Sequence, residues 1–179
     1  VREQKEAVGH AVRATYMYSA MADIAKITKD EDLFNVCKTL FKDIITKKMY
    51  ITGGIGASAY AESFSFEYDL PNDRAYAETC ASVGLVFFSQ RMFLIEKDNL
   101  YYDTIEQILY NNIIGAMSLD GRSYFYVNPL EVLPKACEKR WDTQHVKVPR
   151  QRWFGCACCP PNVARLLSSL GRYIYSYNN

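Results

Sequence analysis

Residues 155–162 read Gly155-Cys156-Ala157-Cys158-Cys159-Pro160-Pro161-Asn162 and contain three of the six cysteines of the chain within four positions. Proline favours the first positions of a helix, so this proline pair predicts a helix that begins just after Cys159. The positive end of that helix would point at the thiols of Cys158 and Cys159, which favours their thiolate forms. The segment therefore predicts one helix start and marks a candidate metal-binding or reactive site.

Adjacent cysteines such as Cys158 and Cys159 seldom form a disulfide with each other, because the ring that results is strained. A metal ion is a more natural reason for the pair. Zinc takes four ligands from cysteine, histidine and carboxylate, and only Cys156, Cys158 and Cys159 are crowded here, so a fourth ligand must come from elsewhere. From the residues alone, a structural zinc site, a catalytic thiolate and reduced cysteines without a shared role all stay open.

Glu78 and Cys80, in the stretch "AYAETCASVG", are the best distant candidates for further ligands. Residues two apart on a regular helix point about 200° apart, so these two side chains can share a metal only where the backbone is irregular. The metal hypothesis therefore requires a distorted first turn at this point. The alternative is that Cys80 is a small residue of the core, as free cysteines often are.

The composition is that of an ordinary globular protein, with 179 residues, 49% hydrophobic and 23% charged. The net charge is +1 and the basic residues are scattered among acidic ones, which argues against a nucleic-acid or membrane partner. No apolar run approaches the roughly 20 residues that span a bilayer. No secretory signal pattern is present, and we expect a cytoplasmic protein, although a chain that starts at Val1 looks like an excised piece.

Apolar spacing predicts five helices and one strand. Asp30 is the expected N-cap of the second helix, and Asn72 or Asp73 that of the third. The predicted helices cover residues 3–27, 31–44, 74–96, 102–117 and 160–173, and the strand begins at Ser123 in "SYFYVNPL". Helix pairs joined by elaborated loops indicate an all-α fold of the α/α type with a minor β element.

Residues 49–73 lack helical periodicity and are rich in glycine, serine and aromatic residues, which predicts one long loop with a functional role. The run Gly53-Gly54-Ile55-Gly56 inside it lacks the spacing and the Lys-Ser/Thr ending of a phosphate-binding loop, so we reject nucleotide binding. His145, in a charged stretch, is expected to be a solvated surface residue.

Several segments together resemble glycoside hydrolase family 127, the β-L-arabinofuranosidase family, whose members use a zinc-bound cysteine as nucleophile. The matching segments are "YITGGIGA", "AESFSFEYDLPND", "AYAETCASVGLVFFSQRMF", "YVNPLE" and "CACCPPNVARLLSSLGRYIYS". Their combination is specific, and it is spread from His10 to Tyr175.

The resemblance implies a role for each residue that matches a family motif. It implies zinc ligation by Glu78, Cys80, Cys158 and Cys159, with Cys158 also the nucleophile and Cys156 a neighbour only. The family's general acid/base falls on Glu62, with Glu67 as the rival. The sugar would be contacted by His10, Tyr126 and Glu78.

The resemblance also implies what surrounds the site. Family members have an (α/α)6 toroid that is preceded by further helices and followed by β-sandwich domains, so residues 1–179 would be the later part of the toroid. The expected partner is a carbohydrate, an oligosaccharide or glycopeptide that contains arabinofuranose, and the expected cofactor is Zn²⁺. Two alternatives stay open: a structural zinc-binding helical module without catalysis, and the same mechanism on another furanoside or a modified sugar.

Overall fold

The computed structural model describes residues 1–175, and these residues are mostly helical. The main helices and their bounds are α1 (Ala11–Thr28), α2 (Glu31–Asp43), α3 (Thr79–Ile95), α4 (Asn99–Gln107), α5 (Ile114–Ala116), α6 (Pro134–Lys139), α7 (Cys159–Ser168) and α8 (Gly171–Ile174). Two π-helical segments, Ile44–Lys48 after α2 and Ile108–Ile113 between α4 and α5, continue these helices, and two short 3₁₀ turns cover Tyr60–Glu62 and Trp141–Thr143. Asp30 is the N-cap of α2, as predicted, because its side chain accepts a hydrogen bond from the Leu33 N–H.

Helix α3 lies at the centre of the structure and packs against α1, α2, α4 and α7. Residues 79–89 are buried without interruption, so the first three turns have no solvent-facing side. A helix that is apolar on every face needs neighbours on every face. This makes α3 the element whose first residues, Thr79 and Cys80, are held most firmly.

Aromatic side chains connect α1, α2, α3 and α4 through the core. The ring centroid of Phe88 lies 5.7 Å from that of Tyr18 and 5.8 Å from that of Phe41. Phe41 in turn meets Tyr101 edge to face at 4.8 Å. Such pairs add roughly 0.5–1.5 kcal/mol each beyond the area that they bury. The four helices are therefore locked together by contacts between rings.

Helix α7 is attached to α1 by a small polar network near its first turn. The Tyr16 hydroxyl donates to Asn162 Oδ1 at 3.0 Å, and the Arg165 guanidinium donates to both, at 2.8 Å in each case. The same guanidinium lies 4.6 Å from the ring centroid of Phe87, on α3. The start of α7 is thus fixed against α1 and α3.

The largest differences from the predicted helix starts are at α1 and α3. Helix α1 begins at Ala11 and not at residue 3, and α3 begins at Thr79 and not at residue 74, so neither Asn72 nor Asp73 is its N-cap. Residues 74–78 are held in an extended path instead, because the N–H groups of Tyr76 and Ala77 donate to carbonyls of the 49–73 loop. Ala77, the residue before the extended Glu78, has φ of +41°, in the left-handed region.

The predicted strand at Ser123 is wrong as a continuous element. Tyr124 and Val127 form isolated bridges only, with Met117 and Gln151 for the first and Glu78 for the second. The alternating pattern is typical of a strand. Each neighbouring segment, however, pairs with it through a single residue, so no continuous ladder of hydrogen bonds forms. A minor β element remains, in the form of these bridges.

Residues 49–73 form the predicted long loop, interrupted by the 3₁₀ turn Tyr60–Glu62. A second, small apolar cluster of Tyr50, Ala57, Ala75 and Ala77 anchors the loop. At the other side of the loop, Arg140 lies 2.7 Å from Asp73 and 2.7 Å from Asp142.

No helix within residues 1–175 is both long enough and apolar enough to cross a bilayer.

Helices α1 and α3 approach each other closely at Gly84. A Cβ atom at this position would lie 2.2 Å from Thr15 Oγ1 and 3.1 Å from Thr15 Cβ. The Thr15 hydroxyl is held there by hydrogen bonds to the carbonyls of Ala11 and Val12, so the overlap cannot be relieved without loss.

We expect Gly84→Ala to lower the free energy of unfolding by about 1–3 kcal/mol, because it overpacks this contact. Gly115→Ala, in α5, is the matched control: a Cβ atom added there would meet no atom of another element of residues 1–175 within 4 Å, and the change should stabilise the helix by about 0.5–1 kcal/mol. Chemical denaturation of the full-length protein measures both. Equal stability of the Gly84→Ala variant and the wild type would contradict the contact.

Candidate metal and carbohydrate site

Glu78, Cys80, Cys158 and Cys159 come together in one cluster. Each offers one ligand atom, and the four atoms all lie within 4.8 Å of one another. Cys80 Sγ is 2.7 Å from Cys158 Sγ and 3.5 Å from Cys159 Sγ, and Cys158 Sγ is 3.3 Å from Glu78 Oε1. The four residues for which the family resemblance implied zinc ligation are therefore brought together by the fold.

The start of α3 explains how Glu78 and Cys80 can face one point. Glu78 is the N-cap, with extended backbone angles, and Cys80 is the second residue of the helix. The irregular backbone that the metal hypothesis requires is therefore the start of the helix. Glu78 lies before this start in an extended conformation, and Cys80 lies inside the helix. The extended residue is held by the bridge from Glu78 to Val127 and by the Thr79 N–H, which donates to the Tyr126 carbonyl at 2.9 Å.

The start of α7 supplies the other two sulfurs. Cys158 is its N-cap and Cys159 its first residue, one position earlier than predicted, and the two prolines follow in the first turn. Cys159 and Cys80 are fully buried, whereas Cys158 is partly exposed. Among the three sulfurs, only that of Cys158 combines a place in the cluster with partial access from outside.

Cys156 lies outside the cluster and is exposed. This agrees with its prediction as a neighbour and not a ligand. Cys156 and Cys158 both precede the first residue of α7, but only Cys158 lies in the cluster with Cys80 of α3.

Electrostatics shows what the cluster requires. Burial raises the pKa of the Glu78 carboxyl. Burial and the neighbouring Cys80 raise the pKa of the Cys158 thiol, and the hydrogen bond with Cys159, followed by burial, raises that of Cys80. Four ionisable groups this close cannot all be charged unless a cation offsets their repulsion. A divalent metal ion would supply that charge and hold the thiols deprotonated.

The donor set fits a metal ion on a further observation. Glu78 is 2% exposed, yet its Oε2 atom has no hydrogen-bond partner within residues 1–175. A buried polar atom without a partner costs roughly 1–3 kcal/mol, so it needs an explanation. Coordination of an ion, or contact with a bound hydroxyl, explains it.

Glu62 lies beside the cluster, together with His10. Ligand atoms of Glu62, His10 and Glu78 also lie within 4.8 Å of one another, so Glu78 is common to both groups. His10 Nε2 is 3.0 Å from Glu62 Oε2. His10 is the N-cap residue of α1 and is partly buried, and its Nδ1 atom is a second buried polar atom without a hydrogen-bond partner in residues 1–175.

Glu67, the rival for the role of Glu62, lies elsewhere. Its side chain is exposed and forms an ion pair with Lys47. It is not among the groups of ligand atoms around Glu78. The geometry therefore favours Glu62 over Glu67.

Tyr126 contributes to the wall of the site. Its ring lies 6.3 Å from that of Tyr76 and 5.5 Å from that of Phe154. Burial, then the nearby Glu78 and Cys158, raises the pKa of Tyr126 well above its ordinary value. The phenol therefore stays protonated and is able to donate a hydrogen bond toward the site.

Sequence reasoning missed Tyr76. Its hydroxyl donates to Glu62 Oε1 at 2.9 Å, and burial, followed by this hydrogen bond, raises its pKa well above the ordinary value. The signal that could have found it is its place in "AYAET", two residues before Glu78, once that segment is recognised as extended and not helical.

The prediction that His145 is a solvated surface residue is wrong. The imidazole is partly buried, its ring lies 5.7 Å from that of Tyr76, and its Nε2 atom is 3.2 Å from the Arg74 carbonyl oxygen. Burial lowers its pKa. The charged surroundings in the sequence suggested exposure, but the 3₁₀ turn Trp141–Thr143 folds this segment onto the aromatic wall of the site.

Comparison with known proteins gives the class to which this site belongs. The family described as "Beta-L-arabinofuranosidase, GH127 catalytic domain" matches residues 1–172. The chain belongs to this family of glycoside hydrolases.

Similar proteins agree with that assignment. A non-reducing end β-L-arabinofuranosidase of Bifidobacterium longum subsp. longum is 46% identical over 176 residues, which are 98% of this chain and 27% of that protein. The crystal structure of a GH127 β-L-arabinofuranosidase from Geobacillus stearothermophilus T6 matches with a TM-score of 0.96 at 59% identity, over 99% of this chain and 28% of that one. A solved GH127 β-arabinofuranosidase matches with a TM-score of 0.90 at 49% identity, over 100% of this chain and 26% of that one.

The chain thus spans about a quarter of the length of these relatives. The match in fold confirms the prediction of an all-α chain of the α/α toroid type with long loops. That residues 1–179 are the later part of the toroid stays a prediction.

We expect the cluster to bind one thiolate-preferring divalent cation per chain. Cys80→Ala should lower the bound metal to less than about a tenth, because it removes a buried ligand, whereas Cys156→Ala should leave it unchanged. Metal analysis of the purified, dialysed full-length protein measures both. An unchanged metal content in the Cys80→Ala variant would contradict the site.

Proposed function

We propose that the protein carrying this chain is a retaining glycoside hydrolase that releases L-arabinofuranose, with Cys158 as nucleophile, Glu62 as general acid/base and Zn²⁺ bound by Glu78, Cys80, Cys158 and Cys159. The observation that carries the proposal is the shared position of Glu78. It lies 3.3 Å from Cys158 Sγ, and its ligand atom is within 4.8 Å of those of His10 and Glu62. The proposed nucleophile, Cys158, and the proposed acid, Glu62, thus both lie next to the buried carboxyl of Glu78.

Zinc is the ion that suits this donor set best. Three thiols and one carboxyl, all within 4.8 Å, match its preference for four sulfur, nitrogen or oxygen ligands. Magnesium and calcium prefer oxygen ligands alone. When bound, zinc would keep the Cys158 sulfur deprotonated at neutral pH.

In the first step, the Cys158 thiolate attacks the anomeric carbon while Glu62 gives its proton to the leaving oxygen. The C–S bond forms as the glycosidic C–O bond breaks, and the leaving group departs as an alcohol. His10 and Tyr126 are proposed to orient the sugar ring through hydrogen bonds to its hydroxyls.

In the second step, the Glu62 carboxylate takes a proton from water as the water oxygen attacks the anomeric carbon. The C–S bond breaks, Cys158 returns to the thiolate and Glu62 to the acid. Two displacements at one carbon retain its configuration. The substrate is proposed to be an oligosaccharide or glycopeptide with terminal β-L-arabinofuranose, because the similar proteins are named for that sugar.

Cys158→Ser should lower kcat for an aryl β-L-arabinofuranoside by about 10³-fold or more, because a serine hydroxyl is a far poorer nucleophile at neutral pH. Cys156→Ser, in the same motif but exposed, is the control and should retain wild-type rates. Metal content is measured on both variants, so that loss of the nucleophile is separated from loss of zinc. Near-normal turnover by the Cys158→Ser variant would falsify the assignment.

Glu62→Gln should separate the two steps. With a nitrophenyl leaving group, which needs no acid, a burst of nitrophenol should persist, while steady-state turnover falls by about 10²–10⁴-fold because water is no longer activated. With a sugar leaving group both steps should be slow. Glu67→Gln is the matched control and should behave as the wild type. If Glu67→Gln shows the slow steady state and Glu62→Gln does not, the assignment is reversed.

A structural zinc site without catalysis makes a different prediction for metal removal. If zinc only clamps α3 to α7, a chelator should unfold the protein, and no arabinofuranoside should be hydrolysed before or after its addition. If the proposal holds, chelation abolishes turnover, and added Zn²⁺ restores it.

A further inference from the structure

The two carboxylate oxygens of Glu62 have different partners. Oε1 accepts a hydrogen bond from the Tyr76 hydroxyl at 2.9 Å, and Oε2 is 3.0 Å from His10 Nε2. Oε1 thus already accepts a hydrogen bond from a phenol O–H. Oε2 faces a ring nitrogen of His10, which in one tautomer of the neutral imidazole accepts a hydrogen bond, so Oε2 is the oxygen with a partner for the proton of the neutral acid.

Tyr76 is itself held from several sides. Its ring lies between that of Tyr126, at 6.3 Å, and that of His145, at 5.7 Å. Its N–H donates to the Ala57 carbonyl at 3.2 Å, and its own carbonyl accepts from the Asn128 N–H at 3.2 Å. The hydroxyl is thus carried on a residue whose backbone and ring are both fixed.

Glu62, in contrast, is on a strained turn. Ala61 has φ of +53° and Glu62 has φ of +50°, and a residue with a Cβ atom pays about 1 kcal/mol or more for the left-handed region. Its side chain is about one-third exposed. An exposed carboxylate on such a turn needs tertiary contacts to keep one direction, and the contact with the Tyr76 hydroxyl supplies one.

We infer that Tyr76 is a positioning residue that fixes Glu62 by its Oε1 atom and so presents Oε2 as the oxygen that donates and accepts the catalytic proton. The inference rests on the proposed role of Glu62. Tyr76 acts through Glu62 and forms no bond to the substrate in this role. Its contribution should therefore depend on how much the leaving group needs a proton.

The test compares Tyr76→Phe with wild type on a series of aryl and alkyl β-L-arabinofuranosides whose leaving groups range from nitrophenol to a simple alcohol. Loss of a hydrogen bond to a carboxyl that becomes charged as it gives up its proton should lower kcat/KM for the alkyl glycoside by about 10–100-fold. The loss for the nitrophenyl glycoside should stay within about twofold, and KM should stay within about twofold throughout, because ground-state binding is not changed.

Tyr50→Phe is the matched control. It removes the hydroxyl of a buried tyrosine of the 49–73 loop, one that donates to the Pro71 carbonyl at 3.2 Å and has no hydrogen bond with Glu62 in residues 1–175. It should affect stability without any dependence on the leaving group. Adding Tyr76→Phe to Glu62→Gln should have no further effect on the alkyl substrate, because a residue that acts through Glu62 loses its role with it.

A loss that is equal for all leaving groups, or that persists in the Glu62→Gln background, would overturn the inference in favour of a structural role. Thermal unfolding and metal content of each variant are recorded, so that misfolding is recognised as such. If the wild type hydrolyses a different furanoside, the sugar assignment fails alone, and the same leaving-group series on that furanoside then tests the role of Tyr76.

Discussion

The meeting of two helix starts is the constraint on which the rest of the site depends. Helix α3 brings Cys80 and helix α7 brings Cys158 and Cys159, and their sulfurs lie as close as 2.7 Å. Both helices direct their positive ends toward this point, which favours negative charge there. Because the first turns of α3 are buried on all sides, Cys80 cannot move to suit a ligand. The position of the site is therefore set by the sulfurs, and the loop residues are arranged around them.

The loop side of the site is attached through Glu78. This residue belongs to the helix on one side and to the extended segment on the other, and its bridge to Val127 ties it to the segment that carries Tyr126. Glu62 is reached across the loop by the Tyr76 hydroxyl. A rigid set of sulfurs therefore faces a set of oxygen groups on irregular backbone. This arrangement suits the proposed division of roles, in which the sulfurs hold an ion and the oxygen groups contact a substrate.

From local signals, the cysteine spacing and the proline pair, the sequence predicted the start of α7 to within one residue and marked a candidate site there, but the set of four ligands came from the family resemblance. The sequence predicted the oxygen side less well. The stretch Ala75-Tyr76-Ala77 is composed of residues that tolerate a helix, and the N–H groups of Tyr76 and Ala77 instead donate to carbonyls of the 49–73 loop, which no local signal reveals. Tyr76 was missed for that reason, whereas His145 was missed because the charged residues around it in the sequence suggested exposure. The alternating pattern after Ser123 was correct about extended backbone but could not reveal that single residues would be its partners.

Glu78 distinguishes between two explanations of a cysteine cluster, ordinary core packing and the binding of a ligand. Neutral thiols pack in a core at little cost, so Cys80 and Cys159 alone would be compatible with ordinary packing. A carboxyl in the same place is different, because its burial is expensive unless a charge or a full set of hydrogen bonds offsets it. One of its oxygens has no hydrogen-bond partner in residues 1–175. An apolar residue would fill this position at lower cost if packing were its only task. We therefore propose that the carboxyl binds an ion on the sulfur side and a polar ligand on the side of His10 and Glu62.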